Sequence, residues 1–291
     1  MNNLQLFMRL YMYELELWLN EHKDYLMEIS FQSDEANTDR PLKEFLKMVI
    51  ENYCCSIVAL KNISFIEINA QSIVISDSVK NAYIGRVLLP EHITPQIKTL
   101  LQARKKAIFT KPDLCLEINI NGNIEYETIE LKSTKSNSIP GSSVQQIMPD
   151  EWVVFVKHIN GKIEVTTGQY FCAINSKMQF PDRSPRPQVS FSELQNWNVK
   201  CRYKTNDTVT FASMGDENKK YDLLTDWQEV LAKQWTDIVF GDHPKKNEPW
   251  FNNNLRKFII EFLKVYDKMT SDQKQQYKGK RQIRLVFVPE F

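Results

Sequence analysis

Two neighbouring segments near the middle of the chain alternate apolar and polar residues with a period of two, which is typical of β-strands with one buried face. A turn signal, Asn121-Gly122-Asn123, lies between them and predicts a β-hairpin. The apolar positions are Leu114, Leu116, Ile118 and Ile120 in the first strand and Ile129 and Leu131 in the second. The opposite face then carries Asp113, Cys115, Glu117 and Asn119 together with Ile124, Tyr126, Thr128, Glu130 and Lys132.

The residues after the hairpin predict a continuation of the same sheet. Residues 142–149 begin with hydroxyls that can cap a helix and end at Pro149, which indicates a short helix. Residues 152–158 form a near-continuous apolar run, typical of a strand buried on both faces. An Asn160-Gly161 turn then leads to an antiparallel neighbour over residues 163–171. The order strand, strand, helix, strand, strand predicts an α/β fold around a mixed sheet.

Hydrophobic periodicity outside this region predicts mainly helices. Apolar residues recur at helical spacing in residues 2–20, 41–55, 91–107, 223–240 and 250–268. Residues 57–78 and 283–288 are rich in apolar or alternating positions and predict strands. Residues 181–187 combine proline with charge and predict an exposed linker.

Composition narrows the class of protein. A chain of 291 residues that is 42% hydrophobic can bury a sizeable core, as one elaborated domain or as two. The first helix carries Arg9, Glu14 and Glu16 within its apolar pattern, so it is neither a signal peptide nor a membrane span, and no other run approaches spanning length. Five cysteines without CxxC spacing predict buried thiols of a cytoplasmic protein. Four histidines far apart in sequence disfavour a histidine-based metal centre.

Two carboxylates and one ammonium group of the predicted hairpin form the strongest chemical signal. Strand alternation places Glu130 and Lys132 on one face, and the hairpin brings Asp113 beside them. Two carboxylates held close repel each other, and a buried lysine resists staying charged. Mg²⁺ relieves the repulsion, because one or two carboxylates hold it while phosphate oxygens and waters complete its shell. With Lys132 over one of those waters, the cluster predicts phosphodiester hydrolysis.

Pro112-Asp113, a gap across a hairpin, and Glu130-Leu131-Lys132 resemble the motif of the PD-(D/E)xK nuclease superfamily, and the surroundings look like its type II restriction endonuclease branch. The resemblance covers residues 109–171. It implies a restriction-endonuclease-like mixed β-sheet core flanked by helices, with N- and C-terminal helical elaborations. It also implies that Asp113, Glu130 and the backbone carbonyl of Leu131 bind Mg²⁺, for which Mn²⁺ substitutes, and that Lys132 serves the attacking water.

Two further groups of residues follow from this resemblance. In similar restriction enzymes a helix before the first core strand adds a carboxylate near the metal, for which Glu51 is the candidate and Glu44 the reserve. A solvent-facing glutamate is the alternative. The loop directly after Lys132 is rich in hydroxyls and amides, the groups that contact phosphates and base edges. Its expected DNA-binding residues are Ser133, Thr134, Lys135, Asn137, Ser138, Ser142, Ser143, Gln145 and Gln146, where the two glutamines either read adenine edges or cap the helix.

The resulting expectation is a Mg²⁺-dependent type II restriction endonuclease that cuts double-stranded DNA as a homodimer, since a palindromic site presents two symmetric phosphates. Residues 1–60 are expected to form an N-terminal helical region, 61–175 the catalytic core, and 176–291 a C-terminal region for DNA contact or dimerisation, unless all three belong to one continuous domain. The net charge is only +1, but the chain is basic from residue 245 onward, for DNA contact or as solvated helix faces. The alternatives are a structure-selective or repair nuclease with the same site, and a non-catalytic DNA-binding protein whose motif is a chance ion pair.

Overall fold

The predicted hairpin lies at the centre of the fold. The computed structural model of the protein describes residues 1–29, 40–104, 112–139, 148–159, 161–175, 188–240 and 249–283. The chain divides into two compact units, Met1–Trp227 and Gln228–Phe291. Helices and mixed β-sheets are both present, which confirms the α/β class predicted from the sequence.

All the strands in the described part of the chain belong to the first unit. They are β1 (Phe65–Ile68), β2 (Gln71–Val74), β3 (Tyr83–Leu88), β4 (Leu114–Ile120), β5 (Asn123–Thr134), β6 (Ser138–Ile139), β7 (Trp152–Ile159), β8 (Lys162–Gln169), β9 (Val189–Ser190), β10 (Arg202–Thr205) and β11 (Thr208–Phe211). The helices are α1 (Asn3–Glu21), α2 (Lys23–Met27), α3 (Arg40–Asn52), α4 (Asp77–Lys80), α5 (Pro95–Arg104), α6 (Phe191–Cys201), α7 (Glu217–Thr225), α8 (Trp227–Phe240), α9 (Pro249–Asp267) and α10 (Ser271–Ile283). Two short 3₁₀ turns, Pro90–His92 and Tyr170–Ala173, precede α5 and follow β8.

The hairpin forms from β4 and β5. The two strands pair antiparallel, starting with Leu114 opposite Ile129. Asn121 and Gly122 at the turn have φ angles of 54° and 84°, the left-handed conformation that a two-residue type I′ turn requires at both positions. The side chain of Asn119 also accepts a hydrogen bond of 2.9 Å from the backbone N–H of Gly122. The Asn-Gly signal therefore sets the register of the whole hairpin.

The hairpin belongs to a five-stranded mixed sheet with the order β3-β4-β5-β7-β8. β5 and β7 run parallel, beginning with Ile129 opposite Trp152, and the other neighbours are antiparallel. A parallel pair needs a crossover connection, which the chain makes over residues 135–151. The strands predicted over residues 152–158 and 163–171 are confirmed as β7 and β8. Residues 142–147 of the helix predicted at 142–149 lie outside the described residues.

One face of the sheet is covered by α1 and α3. Leu116, Leu131 and Val154 are buried on this face beside apolar residues of both helices. α1 begins at a capping box between Asn2 and Gln5, and it buries apolar residues on several of its faces, as a helix inside a core does. The helices predicted over residues 2–20 and 41–55 are confirmed, with ends that differ by one to three residues. This layer forms the main hydrophobic core.

The opposite face of the sheet is partly covered by α5 and α6. Phe191 of α6 packs edge to face on Phe155 of β7, with ring centroids 5.5 Å apart. A Cβ added to Gly168 of β8 would lie only 2.8 Å from the terminal methyl Cδ1 of Leu194 on α6, so a larger residue there would require the leucine side chain to shift. α5 packs on the other half of the sheet, where its apolar residues contact Cys115 of β4. α5 begins later than the helix predicted over residues 91–107, because a 3₁₀ turn precedes it, and residues 105–107 of that prediction lie outside the described residues.

A smaller four-stranded sheet has the order β10-β11-β1-β2. Its central pair, β1 and β11, is parallel and joins segments far apart in sequence. The strand prediction for residues 57–78 is confirmed in part, since β1 and β2 form there and α4 follows. β10 and β11 were not predicted, because strands of four residues contain too few alternations to be recognised in the sequence. The helix α6 was not predicted either.

Two predictions for the C-terminal part differ from the structure in part. The helix predicted over residues 223–240 is confirmed as the end of α7 and the whole of α8, with an interruption at Asp226, where φ is −147° and ψ is 47°. The strand expected from Ile283 onward is wrong at its first residue, because Ile283 ends α10. A capping box between Thr270 and Gln273 starts α10, and helix-forming polar residues continue it.

Other predictions for this part of the chain have mixed outcomes. The helix predicted over residues 250–268 is confirmed as α9. Residues 284–288 of the expected strand and the linker expected at 181–187 lie outside the described residues. No helix in the described ranges combines the length and the apolar character needed to cross a membrane.

The burial of the cysteines agrees with the sequence. Cys54, Cys115, Cys172 and Cys201 are buried, and Cys55 is half-buried. Burial raises the pKa of the Cys54 thiol to about 12. This thiol is therefore protonated at neutral pH and is a poor nucleophile.

Candidate active site

The candidate active site forms where β4 begins and β5 approaches its end. Leu114 pairs with Ile129, so Asp113, one residue before β4, lies opposite Glu130 on the same face of the sheet. Lys132 follows Glu130 by two residues and points to this face as well. The structure thus brings together the three residues that the sequence motif singled out.

Asp113 is buried and its two oxygens contact two different elements. Its Oδ2 accepts a hydrogen bond of 2.8 Å from the backbone N–H of Leu131 on β5. Its Oδ1 lies 2.7 Å from Nζ of Lys43 on α3, and the Lys43 side chain is only 20% exposed. Sequence reasoning missed Lys43. The one signal that could have indicated it is its place beside Leu42 and Leu46, on the apolar side of the helix.

Glu130 and Lys132 form an ion pair on the polar face of β5. Oε1 of Glu130 lies 2.7 Å from Nζ of Lys132, and the two side chains are 16% and 12% exposed. They are therefore not the ordinary water-exposed pair that a surface hairpin would carry. Because removing two charges from water costs about as much as their attraction returns, such a pair adds little stability. Buried clusters of charged side chains with shifted pKa values are instead typical of functional sites.

The pKa values at the site reflect this burial. Burial raises the pKa of the Glu130 carboxyl to about 7; the charge of Lys132 opposes this rise, and the negative charges of Asp113 and Glu151 add to it. Burial lowers the pKa of Lys132, but the attraction and hydrogen bond of Glu130 together with the charges of Tyr170 and Asp113 outweigh burial, and the net change is upward. At neutral pH Lys132 is therefore an ammonium group, while Glu130 is divided between its protonated and ionised forms.

A third carboxylate, Glu151, lies beside this cluster. It directly precedes β7 and stands opposite Thr128 in the parallel register of β5 and β7. Its Oε1 accepts a hydrogen bond of 2.5 Å from the Thr128 hydroxyl, and its charge raises the pKa of Glu130. Sequence reasoning missed Glu151. Its position next to a strand parallel to the one that carries Glu130 was the available signal.

The two additional carboxylates considered for the site, Glu51 and Glu44, have other partners. Oε1 of Glu51 accepts a hydrogen bond of 2.8 Å from the backbone N–H of Val87 and lies 2.5 Å from Nζ of Lys47. Glu51 therefore joins α3 to β3. Glu44 is exposed and pairs with Arg40. These contacts of Glu51 and Glu44 do not involve Asp113 or Glu130, whereas Glu151 lies close enough for its charge to raise the pKa of Glu130.

The loop after β5 is held by contacts of its own side chains and carbonyls. Thr134 is buried, and its hydroxyl accepts a hydrogen bond of 3.0 Å from the backbone N–H of Ser136. The carbonyl of Asn137 accepts a hydrogen bond of 3.1 Å from the Ser190 hydroxyl just before α6. The side-chain Oδ1 of Asn137 accepts another, of 2.7 Å, from Lys157. Thr134 and Asn137 thus have structural roles in this loop.

The residues expected to contact DNA differ in their accessibility. Lys135 and Asn137 are exposed, Ser133 and Ser138 are half-buried, and Thr134 is buried. Ser142, Ser143, Gln145 and Gln146 lie outside the described residues. Of the residues on the described part of this loop, Lys135 has a long charged side chain open to solvent, as a phosphate contact requires.

The donor atoms at the site are oxygens. No group of three or more His, Cys, Asp or Glu side chains within the described ranges is arranged to hold a metal ion. The site instead offers the facing carboxylates of Asp113 and Glu130. The N–H of Leu131 points to Asp113, and because N–H and C=O of one strand residue face the same neighbour, its carbonyl is on that side too. Hard divalent cations with few protein ligands suit this set.

Comparison of the chain with protein-family models, with curated proteins and with solved structures gives no significant match. The fold class alone does not decide the function, since one α/β architecture supports many unrelated activities. The function is therefore argued from the residues and the geometry of the site.

Proposed function

We propose that the protein is a Mg²⁺-dependent type II restriction endonuclease, which hydrolyses phosphodiester bonds of double-stranded DNA at a specific short sequence. The observation that carries the proposal is the meeting of Asp113, Glu130 and Lys132 at the paired ends of two strands, in the order of the PD-(D/E)xK motif. A half-buried lysine between facing carboxylates contributes little to stability. A chemical role accounts better for its presence.

The charges at the site favour a divalent cation. Three carboxyl groups, those of Asp113, Glu130 and Glu151, face only two ammonium groups. A pKa near 7 is what burial and like charge produce in a carboxylate with too little positive charge around it. Asp113, Glu130 and the carbonyl of Leu131 would hold Mg²⁺ through oxygen, and Mn²⁺ would substitute. When bound, the ion supplies Lewis-acid stabilisation of negative charge on the phosphate.

Lys132 has the properties of a charged hydrogen-bond donor. Its raised pKa keeps it protonated at neutral pH, so it orients the attacking water by donating a hydrogen bond and does not act as the base. Its positive charge also stabilises the negative charge that grows on the phosphate oxygens. The neighbouring N–H of Leu131 fixes the orientation of the Asp113 carboxylate. Lys43 occupies the other oxygen of Asp113, so this ion pair has to loosen when Asp113 binds a cation.

Recognition of a specific duplex sequence is supported by the resemblance and by the chain that follows the site. β5 leads directly from Lys132 to Ser133 and the exposed Lys135, which are side chains of the kinds that contact phosphates. Long segments flank the core on both sides and offer surface for reading bases. A homodimer matches a palindromic site with two symmetric scissile phosphates.

The proposal is tested by incubating plasmid DNA of known sequence with the full-length protein and Mg²⁺ and mapping the ends of the products. We expect discrete fragments whose ends fall at one recurring short sequence, and no cleavage after chelation of the metal. Lys132→Met should slow cleavage by about 100-fold or more, while DNA binding without Mg²⁺ is retained. Lys162→Met is the matched control, because Lys162 is an exposed lysine on β8, and it should cut at the wild-type rate.

Each other outcome has a distinct meaning. Cleavage by Lys132→Met at the wild-type rate would contradict the catalytic assignment. Digestion of every duplex without preferred ends, or a preference for branched DNA, would favour a structure-selective or repair nuclease with the same site. DNA binding without cleavage in Mg²⁺ or Mn²⁺ would favour a non-catalytic DNA-binding protein.

A further inference from the structure

Arg9 on α1 is a cationic side chain with few protein partners in the described part of the chain. It is half-buried, and burial lowers the pKa of its guanidinium. Its Nη2 donates one long hydrogen bond, 3.4 Å, to Oε1 of Gln169, and the guanidinium lies 5.4 Å from the ring centroid of Phe211. Within the described ranges Arg9 forms no ion pair. A guanidinium has five N–H donors, so most donors of Arg9 have no protein acceptor there.

Several acids lie in this region. Glu217 lines one cavity with Arg9, and Glu127 and Asp150 line a second cavity that Arg9 also borders. Glu16, further along α1, pairs with Arg202 and accepts a hydrogen bond of 2.5 Å from the backbone N–H of Thr167. Glu217 accepts a backbone hydrogen bond of 2.7 Å from the loop before α7. Within the described ranges, none of these carboxylates forms an ion pair with Arg9.

Arg9 borders a cavity of about 100 Å³. Aromatic and amide side chains form much of its wall, among them Trp152, Phe171, Trp197, Phe211, Gln169 and Asn198. Arg202 also lines the cavity, and its buried Nε has no hydrogen-bond partner. Two guanidinium groups thus border one small, partly aromatic space, and the carboxylate of Glu217 also lies in its wall.

We propose that this cavity binds a small organic carboxylate, held by paired hydrogen bonds to Arg9 with its apolar body against the aromatic wall. A guanidinium presents two parallel N–H donors that match the two oxygens of a carboxylate. This site is separate from the candidate active site, and the inference does not depend on nuclease activity.

Charge and volume select this class of ligand. Arg202 is neutralised by Glu16. Burial raises the pKa of Glu217, but hydrogen bonds from Ser213 and from backbone N–H groups outweigh burial and lower it, so this carboxylate stays ionised. A singly charged anion is then favoured over a doubly charged phosphate monoester. A cavity of about 150 Å³ in another protein holds benzene, so the smaller cavity at Arg9 suits a body of the size of an isopropyl group.

The test measures binding of isobutyrate to the full-length protein by isothermal titration calorimetry, with isobutyramide as an uncharged ligand of the same shape. We expect saturable binding of isobutyrate and binding of the amide that is weaker by about tenfold or more, because the amide lacks the charge-assisted pair. Arg9→Met should weaken isobutyrate binding by about tenfold or more. Arg86→Met, which removes an exposed arginine on β3, should leave it unchanged.

Thermal unfolding without ligand separates a binding role from a structural one. If Arg9 serves a ligand, Arg9→Met removes a desolvated charge and should raise the unfolding midpoint by about 2 to 4 °C. A lower midpoint would mean that Arg9 stabilises the fold, against the proposal.

Four binding results would also overturn the inference. They are equal binding of acid and amide, unchanged binding by Arg9→Met, tighter binding of inorganic phosphate than of isobutyrate, and no saturable binding up to about 10 mM. The comparison of acid with amide uses the wild-type protein, so it remains decisive even if the variant does not fold.

Discussion

The charge state of Glu130 predicts how stability depends on pH. Its pKa in the folded protein is about 7 against an ordinary value of 4.5, first because the carboxyl is buried and then because other carboxylates lie near it. An acid whose pKa rises on folding contributes stability that is fully present below pH 4.5 and is lost as the pH rises through about 7. At about 1.4 kcal/mol for each tenfold change in the ionisation constant, this shift corresponds to about 3 kcal/mol.

Comparison with Glu130→Gln isolates this contribution, because glutamine does not ionise and the other acids are unchanged. In urea unfolding without divalent metal, the free energy of unfolding of the wild type relative to the variant should fall by about 3 kcal/mol between about pH 4 and pH 8. Glu125→Gln is the control, since Glu125 is exposed on the same strand, and it should cause no such fall. Mg²⁺ should reverse much of the fall at high pH by binding the ionised carboxylate.

Two results would refute different parts of this reasoning. If the difference in the free energy of unfolding between the wild type and Glu130→Gln stays constant with pH, folding does not raise the pKa of the Glu130 carboxyl. The expected fall with pH, but no response to Mg²⁺, would support the burial of Glu130 and contradict cation binding at the site. One set of titrations therefore tests the electrostatics and the metal separately.

Three further substitutions are tested by urea unfolding, and each concerns one contact or one backbone conformation. A variant as stable as the wild type would contradict the stabilising role expected of that feature. Lys43→Met should cost about 3 kcal/mol, because it leaves Asp113 buried without its ion pair, and Mg²⁺ should recover part of the loss. Glu14→Ala should cost about 3 kcal/mol, because the carboxylate accepts hydrogen bonds of 2.5 to 2.9 Å from three backbone N–H groups of residues 58–60. Gly122→Ala should cost about 1 kcal/mol, because its φ is 84°.

The hairpin and its polar face could be predicted because they depend on local rules. Asn121-Gly122 is suited to a two-residue turn, and that turn determines which residues of the two strands face each other. Alternation then places Glu130 and Lys132 on the same face as Asp113. The sequence was less informative about short elements, such as β10 and β11, whose pairing partners lie far away along the chain.

The partners of the motif residues could not be predicted in the same way. Lys43 reaches Asp113 only because α3 packs on the sheet, and Glu151 stands near Glu130 only because β7 runs parallel to β5. Glu51 looked equally suitable in the sequence, yet the packing of α3 directs it to β3. Helix periodicity identifies which side of a helix is buried but not which strand end it meets.

Turn chemistry and side-chain alternation act over a few residues, and for this reason the amino-acid order was enough to define the hairpin, the shared face of its two acids and its lysine, and the α/β class. Burial and Coulomb attraction instead sum over every group that is near in space, whatever its distance along the chain. The pKa of Glu130 near 7, the ion pair of Asp113 with Lys43 and the contact of Arg9 with Gln169 therefore emerged only when distant segments had packed together.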